Sequence, residues 1–437
     1  MAVPPRYRPT ATPDAHRSMH ARIGVFVLFL SMGVLLATFL SRFPTLLIDF
    51  DVDKDVFSIL LISGAGGAIV ALLLTGWMAA RFGTRFVLVW STVAHAVSFL
   101  VVAYSSHLGS RPLFVVGQFL VAFSFSFTNV AMNAEAAAIE RHLNRKIMPQ
   151  FHAAFSVGMA VGLVIGYFFS RFEVSAFRHY AIVVLAFTVI RLAVVPMAVI
   201  DGRPTETKAG GLGGPFATAR AEYRDSRVLM IGAIVFAAAV SENAAMQWVT
   251  ISGDEDFNKS ESVGVVMYWV FVVSMVIVRS LGGRLLERFG RVVMLRASAL
   301  VTIAGIIIFA FTPVFWLAFV ALVFWGVGAA LGIPISFSAA ADDPKRAPAR
   351  VAAVSSFATV AGVAIPPLIG SLAEAITTRR ALLVVIVGSL VIITLAKAVR
   401  RDQRMFPRIR RRLGRLRPEE SEVVVSVAPT DTGTTLV

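Results

Sequence analysis

Long stretches free of Asp, Glu, Lys and Arg recur along this chain, separated by short charged turns. They run Ile23–Ser41, Val56–Ala80, Phe86–Ser110, Pro112–Ala134, Ile147–Ser170, Val228–Ser241, Ser262–Val278, Ala297–Ala341, Val351–Ala373 and Ala381–Ala396. Most exceed the roughly 18 apolar residues that mark a membrane-crossing helix. Val228–Ser241 reaches that length by passing Glu242 and continuing to Val249, and His179–Ile200 adds a stretch interrupted by Arg191. Ala297–Ala341 decides the count. As one helix its 45 residues would extend about 67 Å, against a hydrocarbon core of about 30 Å. It must fold back once, and Thr312-Pro313 is the break, because proline stops one helix and starts the next. The pattern predicts an all-α membrane protein of twelve transmembrane helices.

Charge placement orients these spans. With the N-terminus inside, 31 of the 41 basic residues fall on the cytoplasmic side, seven outside and three (Arg42, Arg191, Arg279) within spans. The acidic loops Asp49–Asp55 and Asp254–Asp256 both fall outside. Both termini are therefore expected in the cytoplasm, in a multi-pass protein of the cytoplasmic membrane. The net charge of +15 follows from this bias, so no nucleic-acid partner is implied. Composition agrees: 57% of the 437 residues are hydrophobic, 15% are charged and mean hydropathy is +0.77. A soluble domain carries about a quarter charged residues. The absence of cysteine excludes disulfides and thiol chemistry.

The expected organisation is a polar tail (1–20), a first six-helix bundle (21–200), a cytoplasmic linker (201–227), a second bundle (228–400) and a tail (401–437). The linker contains the flexible Gly210–Pro215. The basic block Lys397–Arg417 is expected near anionic lipid, with disorder beyond it. The first apolar run has no small-residue cleavage site after it and is read as a retained span.

The halves repeat one another. After the second span stands Gly76-Trp-Met-Ala-Ala-Arg81-Phe-Gly83-Thr-Arg85; after the eighth stands Gly283-Arg-Leu-Leu-Glu287-Arg288-Phe-Gly290-Arg291, 207 residues later. Glycine permits a sharp turn, and the arginines hold it in the headgroup layer. The fifth and eleventh spans carry Gly158, Gly162, Gly166 and Gly362, Pro366, Gly370. These rows suit close helix crossing and are expected to form the sliding surface between the halves.

The two turns resemble the signature loops of the major facilitator superfamily, and the resemblance covers roughly residues 20 to 400. It implies two pseudo-symmetric six-helix bundles whose spans 1, 4, 7 and 10 line a central cavity. The signature residues would serve as gating loops. The first loop departs from the pattern, with Ala80 where the second has the acidic Glu287, so the second loop alone keeps that carboxylate. More narrowly, Ser41-Arg-Phe-Pro44, Met132-Asn-Ala-Glu-Ala136, Phe151-His-Ala-Ala-Phe-Ser156 and Pro366–Glu374 are similar to the bacterial branch near the fucose permeases that includes rhizopine-transporter-like proteins.

Charges inside the bilayer are costly and should face a cavity or a partner. Glu242 is the sharpest candidate, with Asn243, Gln247 and Trp248 following it. Residues 243 and 247 share a helix face. A carboxylate shielded from water can carry a proton, and the amides and indole can bind a polyol. The alternative is a structural pair with Arg42 or Arg279. Glu135, near Asn129 and Asn133, occupies a position that the resemblance assigns to proton coupling; otherwise it is an end-of-helix charge. Arg42 either contacts solute or pairs with the Asp49–Asp55 loop. His152 is a proton relay or a packed or surface histidine, and Gln118 and Trp325 are solute contacts or packing residues. His95 and Arg191 fall on outer-layer spans, where they are expected as a structural pair.

No G-x-x-x-x-G-K-[ST] loop, H-E-x-x-H, Cys/His cluster or G-x-S-x-G occurs, so no ATP site, metal centre or enzyme is implied and no cofactor is expected. The expected function is secondary, proton-coupled transport (symport) of a small polar solute, sugar or sugar-like, by a monomer. An exporter of drugs or metabolites and a non-transporting membrane sensor or scaffold remain the alternatives.

Overall fold

The computed structural model describes residues 15–143, 147–200, 222–343 and 346–400. The expectations for residues 1–14, most of the linker and the tail from 401 lie outside them. Every element among the described residues is helical. The first half contains α1 (Ala15–Leu40), α2 (Phe43–Phe50), α3 (Lys54–Phe82), α4 (Thr84–Leu108), α5 (Arg111–Leu143), α6 (Met148–Arg171) and α7 (Ala176–Ala198). The second contains α8 (Ser226–Glu255), α9 (Glu261–Phe311), α10 (Phe315–Ala329), α11 (Gly332–Ala340), α12 (Ala347–Ala375), α13 (Thr378–Ala381) and α14 (Val384–Leu395), then a 3-10 turn at Ala396–Val399.

Eleven helical segments among the described residues are long and apolar enough to cross a membrane. One of them, α9, has 51 residues, about 76 Å at 1.5 Å per residue, far more than one bilayer crossing requires. It is not continuous: Gly290 interrupts it with φ 76° and ψ 162°. The break foreseen at Thr312-Pro313 is present, since α9 ends at Phe311 and α10 begins at Phe315.

The helix ends fall into two sets. The first end of the molecule carries the α1–α2 turn, the α6–α7, α8–α9 and α9–α10 connections and the start of α3. The second end carries Gly83, Gly290 and the α5–α6 connection. Local chemistry fixes several termini. Ser175 caps α7 by accepting from the Arg178 N–H, and Asp225 caps α8 by accepting from the Arg227 N–H. Pro44 sits in the first turn of α2, where a missing N–H costs nothing.

Buried side chains are distributed unequally between the ends. Toward the first end a single apolar core runs through both halves, joining Phe39, Phe43 and Tyr180 to Trp248, Phe271 and Trp325. Toward the second end each half keeps its own core. One is built around Phe29, Phe127 and Phe151, the other around Ile231, Leu295 and Ile335.

Candidate functional site

Glu242 lies on α8, thirteen residues from its last residue, Glu255, or about 20 Å into the span from the first end. Its carboxylate pairs with Arg279 of α9 at 2.5 Å, and Arg279 Nε also donates to the Ala330 carbonyl at 2.9 Å. Both charged side chains remain partly accessible, at 23% for Glu242 and 28% for Arg279. A pair sealed in a core would show none. The structure thus selects the Arg279 pairing for Glu242 while leaving the carboxylate partly exposed. Asn243 and Gln247 are half-buried on the same helix; Asn243 donates to the Ala239 carbonyl, whereas Gln247 Oε1 is buried with no partner. The Trp248 N–H is buried in the shared core and is also unpartnered. From the other half, exposed His152 sits in the first turns of α6, edge-on to Phe29 at 5.4 Å, within electrostatic reach of Arg279.

Two inter-half clamps stand between this pair and the first end. Glu261, the first residue of α9, accepts from Arg42 at 2.8 Å, from the Thr45 hydroxyl at 2.5 Å and N–H at 3.0 Å, and from Ser170 at 2.8 Å. Arg42 also donates to the Val174 carbonyl. Lys54, the first residue of α3, pairs with Glu255 at 3.0 Å and lies 3.8 Å from Glu374. Lys54 and Glu261 are 207 residues apart, the spacing of the repeated glycine turns. Each opens the second span of its half and grips helix ends of the other half. Among the described residues, all the ion pairs that join the halves lie at this end. Arg42 is therefore held by Glu261 and not by the Asp49–Asp55 loop.

The second end repeats a different device. Gly83 (φ 83°, ψ 158°) and Gly290 (φ 76°, ψ 162°) adopt matching backbones that residues with a side chain rarely enter. No atom lies within 4 Å of where a Cβ on Gly290 would stand, so conformation alone calls for glycine there. The residue after each glycine is anchored to an acid. Thr84 donates to Glu135, and Arg291 donates to Asp342 at 2.9 and 3.0 Å. Glu135 and Asp342 are again 207 residues apart. Glu135 is buried, accepts also from the Ile200 N–H at 3.2 Å, and lies at the second end, apart from Glu242. Arg81, Arg85, Glu287 and Arg288 are exposed around these turns, with Arg288 over the Phe289 ring. Gly76 lies inside α3, and Gly283 inside α9 has open space around it.

The remaining candidates are dispersed. Asn133 Nδ2 donates to Asn129 Oδ1 at 2.6 Å and to the Asn129 carbonyl at 2.8 Å, so its N–H groups are engaged within α5. Gln118 Oε1 is buried without a partner, beside Gly64 of α3. Trp325 is fully buried, donates to Ser241 at 2.9 Å and packs on Phe271, which makes it a core residue. The glycine rows require a correction. Gly158, Gly162 and Gly166 press on α1 of their own half, where added Cβ atoms would come within 2.0–2.6 Å of Leu30, Val34 and Ser41. Of the glycines in these rows only Gly370 faces the seam, where an added Cβ would come within 2.5 Å of Ser58 Oγ, and a Cβ on Gly362 would meet nothing within 4 Å. Sequence reading named Arg279 as one possible partner of Glu242, but it singled out neither Glu261 nor Lys54. The 207-residue offset was the one signal that pointed to the last two.

An all-helical chain with eleven helices long and apolar enough to cross a membrane among its described residues, and two halves clamped at one end, has the architecture of a polytopic membrane protein. The profile of the Major Facilitator Superfamily matches residues 22–353 and 255–425, and the chain belongs to that family. It is 30% identical over 361 residues to the uncharacterized transporter y4wD of Sinorhizobium fredii, covering 82% of this chain and 92% of that one. Two solved structures share the fold. The nucleoside transporter NupG has a TM-score of 0.67 at 16% identity, covering 88% of this chain and 98% of that one. The E. coli fucose:proton symporter FucP has a TM-score of 0.57 at 16% identity, covering 86% and 98%. The protein is thus an integral multi-pass transporter of small solutes, and not an enzyme.

Proposed function

We propose that the protein carries a small polar solute, sugar or sugar-like, across the cytoplasmic membrane by proton-coupled alternating access. In this reading α9 counts as two spans divided at Gly290. The chain then has twelve spans in two six-helix bundles (21–200 and 228–400), with both termini cytoplasmic. The observation that carries the reading is the asymmetry of packing about the Glu242–Arg279 pair. On one side a shared core and two ion-pair clamps join the halves, while on the other each half has a core of its own. Such a molecule is closed toward the outside, and the accessible ion pair faces the inside. FucP moves a sugar with a proton, and NupG a nucleoside, which carries a sugar ring. Polar neutral solutes of that kind suit a site whose one carboxylate is balanced by one arginine.

Glu242 is the proposed proton carrier, with Asn243, Gln247 and Gln118 as hydrogen-bonding groups for the solute. Protonating Glu242 would release Arg279, coupling proton binding to rearrangement between α8 and α9. A thermal-shift screen of sugars, polyols and nucleosides first finds the solute. Uptake into proteoliposomes then tests the mechanism. Glu242→Gln should abolish accumulation driven by a pH gradient while leaving solute exchange in place. Undiminished gradient-driven uptake by that variant removes Glu242 from the mechanism.

A further inference from the structure

A second polar cluster lies within the first half, between α4, α5 and α7. Arg191 of α7 is fully buried, at 0% exposure. One terminal nitrogen donates to Thr128 Oγ1 at 2.9 Å, and the Thr128 hydroxyl in turn donates to Ser91 Oγ at 2.8 Å. The Nε and the other terminal nitrogen of Arg191 are buried with no partner. Among the described residues no carboxylate pairs with this guanidinium, and no aromatic ring takes it as a cation–π partner. His95, one turn beyond Ser91 on α4, is likewise at 0% exposure, and both of its ring nitrogens lack partners. The Arg191 charge acts on His95, whose ring stacks against Phe99 at 5.2 Å.

A guanidinium keeps its charge in proteins and offers donors only. A buried charge without an opposite charge is among the most costly arrangements a fold can contain. Water could satisfy the stranded N–H groups, but it would leave the positive charge uncompensated. The groups left over are the unpaired N–H donors of Arg191 and a ring N–H of His95, a donor-rich lining matched to an anion. With every one of these side chains buried, an ion of atomic size suits the cluster better than an organic anion.

We infer that Arg191 and His95, braced by Thr128 and Ser91, hold a halide-sized monovalent anion that ties α7 to α4 and α5. The site is separate from the Glu242–Arg279 pair and acts on the stability of the first half rather than on solute binding.

The test uses full-length protein purified in detergent. Melting is followed in sodium gluconate, with chloride or bromide replacing gluconate at constant ionic strength. The expected result is a saturating rise of about 2–4 °C with either halide. Bromide-soaked crystals should show an anomalous peak beside the Arg191 guanidinium. Arg191→Met should abolish the halide response. If that variant fails to fold, His95→Phe, which keeps a ring against Phe99, should raise the halide concentration needed for half the effect at least several-fold. Identical melting in all three salts overturns the inference. So does a bromide peak elsewhere, or a halide response unaltered in either variant.

Discussion

Arg279 and Glu242 are each half of an electrostatic unit, so truncating one exposes the cost of the other. Arg279→Met should cost about 1–3 kcal/mol, below the value for a fully sealed pair because both side chains keep some accessible surface. The double variant Glu242→Gln/Arg279→Met should recover much of that loss in thermal denaturation, while gradient-driven transport stays absent. At the second end the prediction separates two glycines of one motif. Gly290→Ala should cost about 1–3 kcal/mol because its backbone sits in a region nearly reserved for glycine. Gly283→Ala, helical and with open space around it, should be neutral or stabilising by up to about 1 kcal/mol. Denaturation of the two single variants compares them directly. The sequence made Glu242 conspicuous because it interrupts an uncharged stretch. It left Arg279 as one of two possible partners, since nothing local tells which helix will face α8.

Helices were the most legible level. A span requires a run of apolar side chains, and such runs can be read without knowing what packs on what, so the boundaries of α3, α4, α7 and α12 lie close to the uncharged stretches. The roles of helix faces were less legible. Rows of small residues look alike whether they serve packing within a half or between halves, and Gly158, Gly162 and Gly166 serve the former. Glu135 shows the same limit. Its place in the fourth span suggested coupling, but the fold sets it beside the turn at Gly83, as Asp342 stands beside the turn at Gly290. Glu135→Gln and Asp342→Asn should therefore each lower the melting temperature while leaving the pH dependence of uptake unchanged. A shifted pH profile for Glu135→Gln would return that residue to the coupling mechanism.

Across the whole molecule the two clamps obey the repeat. Lys54 and Glu261 have opposite charge at equivalent positions, so each half both offers and receives one grip. The Arg42–Glu261 pair is mostly buried and the Lys54–Glu255 pair more open, and a few kcal/mol suffice to shift a two-state equilibrium from one conformer to the other. The cysteine-free chain makes the most direct test practicable. Spin labels on cysteines introduced at Leu108 and Val314 report the first end, and labels at Phe86 and Val293 report the second. The account predicts a predominantly short first-end distance and a long second-end distance in the unmodified background. In Lys54→Gln/Glu261→Gln the first-end distance should lengthen and the second-end distance shorten together. If both distributions stay unchanged in that double variant, or only one of them moves, the clamps do not hold the halves closed and the alternating-access account fails.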